Sequence, residues 1–348
     1  MKERDRQRKG SLIALVGVLF TTPDPALLRW AKATRATLSA ILCWKLLLIS
    51  VVMFFYGRSE QGKDWASLGK RPVLAVCIGV SLALKSTLLS FANLFTYAAT
   101  ASMLFALHPL WSGVMGYFFL GDALPRRTIV ALILAMAALV FMFYPELAAG
   151  SFGSGTMTIG DGMALATSVT MSTYLCLARY ASRVEPELSV PTASSFGLFA
   201  GAATVVIASS LTGSTVVDGI TGPGIVAIIL DGFAVAIGNL AHALAPKYVT
   251  ATKIGLISLI EAVLSPVWVF AIYREAPDTY TLAGGACIIV ILAGHELLSC
   301  WDKNDLISKE DNDGMDKNDL HAALLKTTED DKESQLLHKE QGTLQKDH

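Results

Sequence analysis

From Ser86 to Gly121 the chain runs for 36 residues without a formal charge. As a single helix this run would be about 54 Å long at ~1.5 Å per residue. The hydrocarbon core of a bilayer is only about 30 Å thick. The run is therefore read as two spans joined by a tight turn near Phe95–Thr100. The stretch between Glu187 and Asp218 is uncharged as well. Backbone amides in lipid must be paired within their own segment, so each span is read as a helix. Cutting the chain at charges, Gly/Pro clusters and turn residues gives ten segments, roughly 11–31, 36–57, 72–94, 98–121, 126–146, 161–182, 189–211, 223–246, 250–273 and 279–300. The expected fold class is an all-α polytopic membrane protein with ten transmembrane helices, and the lipid bilayer is its first partner.

Composition agrees. Charged residues make up 16% of the chain against about 25% in soluble domains. That deficit excludes an ordinary soluble enzyme and a disordered protein. A net charge of −1 leaves no global field to attract nucleic acid. Residues 1–10 hold five basic and two acidic groups, while residues 301–348 hold seven Lys and thirteen Asp/Glu. The chain thus reads as a basic head (1–10), an apolar body and an acidic tail (301–348) too polar to pack a core. Lys2–Lys9 followed by Ser11–Phe20 resembles a signal peptide. The apolar pattern resumes at Pro25–Trp30 without a clean small-residue cleavage site, so the segment is taken as the first span. In the tail, Asp311-Asn312-Asp313-Gly314 hints at a calcium loop. With Gly314 sixth, the first and twelfth positions fall on Lys309 and Leu320, and neither supplies the carboxylate required. Cys43, Cys77, Cys176, Cys287 and Cys300 lack metal spacing and read as small apolar residues. No metal and no cofactor motif is found.

Basic residues set the orientation. Arg58–Arg71 (four basic residues), Arg126/Arg127, Arg179/Arg183 and Lys247 fall on the side of the basic head, and 147–160 and 212–222 carry none. Both termini are expected in the cytoplasm.

The body also repeats itself. The halves 11–147 and 160–300, joined by the Gly/Ser-rich Ala148–Gly160, hold five spans each. An odd number of spans per repeat inserts the second copy upside down. Pro109-Leu110-Trp111 in the fourth span matches Pro266-Val267-Trp268 in the ninth, and Asp122-Ala123 with Thr128 matches Glu275-Ala276 with Thr281. Gly197 and Gly201 form a small-xxx-small pair that lets helices approach closely.

These residues carry a resemblance to a known family. Thr22-Pro23-Asp24-Pro25-Ala26-Leu27-Leu28-Arg29, Ala106-Leu107-His108-Pro109-Leu110 with Leu120-Gly121-Asp122, and above all Leu256 through Trp268 followed by Glu275-Ala276-Pro277 and Thr281 through Ala286, resemble the EamA family of the drug/metabolite transporter superfamily over about 11–300. Cys43-Trp44-Lys45 stands where that family often has an aromatic-Trp-Arg. The resemblance implies ten helices in two inverted five-helix repeats that carry small organic solutes through a central cavity.

A charge in the hydrocarbon region costs several kcal/mol unless it is paired or wet, so every ionisable residue within a span is a candidate. Substrate-binding or coupling candidates are Lys45 in the second span, Lys85 in the third, His108 in the fourth, Asp231, Asn239 and His242 in the eighth, and Lys253 and Glu261 in the ninth. Lys85 sits about two-thirds along its span. It reads either as a cavity-lining cation or proton relay, or as a buried partner of Asp231 or Glu261. Glu261 falls near mid-membrane and reads as a proton-coupling acid or a packing residue. Asp231, Asn239 and His242 share one stripe of their helix, which faces protein or water. His108 beside Pro109 reads as a packed kink residue, and Asp122 and Glu275 as span-end markers.

The pattern points to a secondary transporter of a small-molecule substrate, with a proton as candidate coupling ion. No Gly-rich phosphate loop ending in Lys-Ser/Thr is present, which disfavours an ATP-driven pump. No Gly-x-Ser-x-Gly elbow or His-Glu-x-x-His is present, which disfavours a membrane enzyme. A receptor or scaffold acting through the acidic tail, or a membrane enzyme without a recognisable motif, remains the alternative.

Overall fold

Threonine caps and prolines set where the helices begin. In the computed structural model, Thr37, Thr221 and Thr250 accept hydrogen bonds through their side chains from Ala40 N, Gly224 N and Lys253 N, supplying acceptors to helix ends that would otherwise be bare. The structure describes residues 3–60, 66–96, 98–122, 126–148, 156–211, 213–274 and 279–295. The helices are α1 (Glu3–Thr21), α2 (Asp24–Ala33), α3 (Leu38–Ser59), α4 (Ala66–Lys70), α5 (Pro72–Phe95), α6 (Ala98–Phe105), α7 (His108–Leu120), α8 (Arg126–Met142), α9 (Tyr144–Ala148), α10 (Thr156–Val184), α11 (Val190–Leu211), α12 (Gly222–Leu244), α13 (Ala251–Tyr273) and α14 (Thr279–His295). No strand occurs among the described residues. The chain divides into a helical body, residues 1–292, and a C-terminal unit from Ala293, of which only 293–295 are described. The acidic tail with its calcium-like stretch, Cys300, Glu275-Ala276-Pro277, Ala123 and residues 149–155 of the linker lie outside the described residues.

Among the described residues, seven segments are long and apolar enough to cross a membrane: Asp5–Ala33, Leu38–Ser59, Pro72–Asn93, Thr100–Leu120, Val190–Leu211, Gly222–Lys247 and Ala251–Tyr273. The helices α8 and α14 are shorter, and α10 is long enough but richer in Ser, Thr and Gly. In α10 the hydroxyls of Thr167, Ser168, Thr170, Ser172, Thr173 and Ser182 donate to carbonyls three or four residues back. These hydroxyls are thereby satisfied within the helix, and one face of it is buried through Ala164, Met171, Leu175 and Ala178. Large apolar side chains such as Val73, Phe118, Phe119, Ile207 and Val290 point outward, the reverse of a water-soluble surface. The chain is a multi-pass, all-helical integral membrane protein.

Two of the predicted spans are broken. The first is α1 and α2, interrupted at Thr22–Pro23. The fourth is α6 and α7, interrupted at Ala106–Leu107. The tight turn expected near Phe95–Thr100 is the gap between α5 and α6. Residues 3–10 of the basic head form the first turns of α1, where Arg6 donates to the Lys247 carbonyl and Lys9 lies over the Tyr248 ring.

Glycines make the closest crossings. A methyl group on Gly197 would lie 2.1 Å from the carbonyl carbon of Gly79, so α11 and α5 meet backbone to backbone. A methyl group on Gly238 would lie 3.0 Å from the Gly17 carbonyl oxygen, and α12 meets α1 likewise. Close approach of this kind replaces the hydrophobic drive that is missing between helices in lipid. Of the four described cysteines, Cys43 and Cys176 are buried as expected, while Cys77 and Cys287 face outward.

Candidate functional site

The polar centre is built at the break between α1 and α2. Pro23 cannot continue the hydrogen-bond ladder of α1, and the chain restarts at Asp24, the first residue of α2. The Asp24 carboxylate pairs with the Lys45 ammonium of α3. Lys45 also pairs with Asp231 of α12 at 3.0 Å. These side chains are 2–6% exposed. Asp231 is therefore the partner of Lys45, not of Lys85. The Lys85 Nζ donates to Asn239 Oδ1 at 3.3 Å and lies 6.0 Å from the centre of the Phe105 ring, with Glu261, Asp24 and Lys45 within electrostatic range.

On the other side of the break, the Thr21 hydroxyl, at the end of α1, donates to Glu261 Oε2 at 3.0 Å. Ser265 and Trp268 of α13 hold the bridging residue: the Ser265 hydroxyl reaches the Thr22 carbonyl at 3.3 Å and the Trp268 indole the Thr22 hydroxyl at 2.8 Å. One interruption in the first span thus joins the ion-paired triad to Glu261.

The second interruption supplies an acceptor. Pro109 has no N–H for the carbonyl four residues back, which is that of Phe105. His108 Nδ1 takes this carbonyl at 3.0 Å, and its ring stacks on Phe105 at 4.9 Å. A carbonyl only accepts, so Nδ1 carries the hydrogen and Nε2 is left with a lone pair. Nε2 is buried and has no hydrogen-bond partner. His108, Glu261, Asn93, Ser102 and Ser258 line a pocket with Phe105 and Pro25, where both amide atoms of Asn93 are also unpartnered.

Most of the predicted residues come together here. Lys45 and Asp231 form the triad, Lys85 and Asn239 a pair beside it, and His108 and Glu261 reach the pocket. His242 is buried on the Asp231–Asn239 stripe of α12, with no hydrogen-bond partner on either ring nitrogen. Lys253 stands in the first turn of α13, about 12 Å of helix rise from Glu261. Sequence reasoning missed Asp24, Thr21 and Asn93. Asp24 had a signal, an acid between two prolines within an apolar run. Asp122 is more than a span-end marker: it is buried, pairs with Arg183, and lies 3.8 Å from Arg179.

No family model matches the chain. An "uncharacterized transporter" of Clostridium kluyveri is 26% identical over 218 residues, which is 62% of this chain and 69% of that protein. A protein known from a crystal structure superposes with a TM-score of 0.67 at 19% identity, over 84% of this chain and 98% of that one. The helical body therefore has a fold already seen in a solved structure.

Proposed function

We propose that the chain is a secondary transporter moving a small organic solute by alternating access. The observation that carries this reading is the pocket lined by Glu261, His108 and Asn93 within an apolar helical body, beside two buried lysines. Buried ionisable groups are costly within a membrane and mark substrate or ion paths. Broken helices with side chains gathered at the break are how membrane proteins build solute sites at mid-depth. The name of the Clostridium kluyveri relative supports transport. On this reading the ten helical segments span as two inverted five-helix repeats of the EamA type, and both termini lie in the cytoplasm. Glu261, Asp231 and Asp24 are the acids available to a coupling proton.

Purified full-length protein in lipid vesicles, screened for uptake against amines, amino acids, sugars and organic anions, tests the reading. Saturable uptake of one class, lost in His108→Leu while the protein still inserts, is expected. No uptake of any class under a proton gradient in either direction would overturn it.

A further inference from the structure

Asp24 of α2 and Asp231 of α12 converge on one ammonium group, that of Lys45 from α3. Their carboxyl groups are also within hydrogen-bond reach of each other. Ionised carboxylates have only acceptors, so a direct bond between two of them needs a proton. Charge leads to the same place. One ammonium balances one carboxylate, and a second carboxylate buried without compensation would cost several kcal/mol. The charged groups facing the triad from the other elements are Lys85 of α5 and Glu261 of α13. They offset one another, so the whole cluster of two ammonium and three carboxyl groups is short of one positive charge.

Two carboxyl groups meet one ammonium at Lys45, and that is where the charge belongs. Asp231 Oδ1 is buried with no donor facing it. We propose that Asp24 and Asp231 share one resident proton against Lys45, and that this pair, rather than Glu261, is the proton-binding site of the protein. The binding site rests on geometry and charge balance; its use in coupling rests on the transport reading above. Asp24 opens α2 at the break, and Pro25 beside it lines the pocket. Loss of the proton to water leaves two like charges on one ammonium, and the strain falls on the joint between α2 and α12.

Infrared spectroscopy of the full-length protein in lipid vesicles reads protonated carboxyl groups directly and needs no transported solute. At neutral pH a protonated-carboxyl band is expected. It should shift when the aspartate carboxyl carbons are isotopically labelled and stay in place when the glutamate carbons are. It should vanish in Asp231→Asn and persist in Asp122→Asn. If Asp231→Asn does not insert, Asp24→Asn and the labelled unmutated protein decide. A band that follows the glutamate label, a band that survives in both Asp24→Asn and Asp231→Asn, or no band at neutral pH overturns the assignment. A band that behaves as expected in a protein that moves no solute supports the proton pair and removes only the transport reading.

Discussion

Lys85 of α5 donates its hydrogen bond to the Asn239 amide of α12, so its direct partner is neutral. Glu261, which lines the pocket, acts on it electrostatically without a hydrogen bond to it. The ammonium is thus held in place by a neutral group, within a buried setting.

Lys85→Met keeps the length of the side chain and removes its charge. Asn239 Oδ1 then loses its donor, and an unsatisfied buried acceptor costs about 1–3 kcal/mol. The variant is expected to insert, melt at a modestly lower temperature and lose most uptake. Adding Asn239→Leu should recover stability without recovering uptake, because the polar seam is gone but the cation is still missing. Thermal melting in detergent and vesicle uptake, measured on the same preparations, check both halves. Unchanged melting and unchanged uptake would show that Lys85 serves neither purpose.

The backbone contact between Gly79 and Gly197 makes a sharper structural prediction. A methyl group at Gly197 falls 2.1 Å from the Gly79 carbonyl carbon, while one at Gly201 falls 3.3 Å from the Ala83 methyl. Gly197→Ala must push α5 and α11 apart, and overpacking of this kind costs about 1–3 kcal/mol. Gly201→Ala needs only a shift of a few tenths of an ångström at a side chain and should cost clearly less. Melting temperatures that rank the two variants the other way would mean that the crossing lies elsewhere.

Much of this arrangement is legible in the sequence, because lipid leaves few choices. Charge-free runs longer than the bilayer is thick locate the α5–α6 turn, and the Gly197/Gly201 spacing marks a close crossing. Polar residues at helical spacing put Asp231, Asn239 and His242 on one buried stripe. The pairings are not legible. Lys45 meets Asp24 and Asp231 from positions 21 and 186 residues away in the sequence, and Asp122 meets Arg183 across 61. Such partners are chosen by packing, which local patterns do not encode. Asp24 escaped notice because prolines on both sides make it look like a boundary residue. In this fold the boundary is an internal break, and the break is where the charges collect.

Outside the membrane-spanning segments, the Glu187 carboxylate accepts a hydrogen bond from Lys70 at 2.7 Å. That bond, with the ammonium charge, holds the Glu187 carboxyl below the usual carboxylate range. A carboxyl lowered on folding contributes stability above its unfolded value, and the contribution is lost as pH falls through the lowered one. Both groups are exposed, so the effect is small and screened by salt. Glu187→Gln should lower the melting temperature slightly at neutral pH. The difference from the unmutated protein should vanish in strong acid and at high ionic strength. A difference that persists in acid would assign Glu187 a role other than this pair.

One end of the helical body is closed by ion pairs. Lys247, after α12, pairs with Glu60 at the end of α3, and Ser189 donates to the same Glu60 carboxylate at 3.2 Å. Arg179 of α10 donates to the Pro246 carbonyl at 2.8 Å and faces Asp122 after α7, which Arg183 also holds. Asn93 and Leu89, in the wall of the pocket, lie about 27–33 Å along α5 from Arg71 at this end. The ion pairs therefore sit well away from the pocket, on the side that the proposed orientation places in the cytoplasm. If transport proceeds by alternating access, these contacts must part for the pocket to open toward that side. Glu60→Gln and Asp122→Asn together should weaken the closure. A cysteine placed at Ser258, in the pocket, should then react faster with a membrane-impermeant thiol reagent applied from the cytoplasmic face, in a background lacking the native cysteines. Equal labelling rates with and without the two substitutions, in protein that folds and inserts, would show that these pairs hold the helices together without gating the pocket.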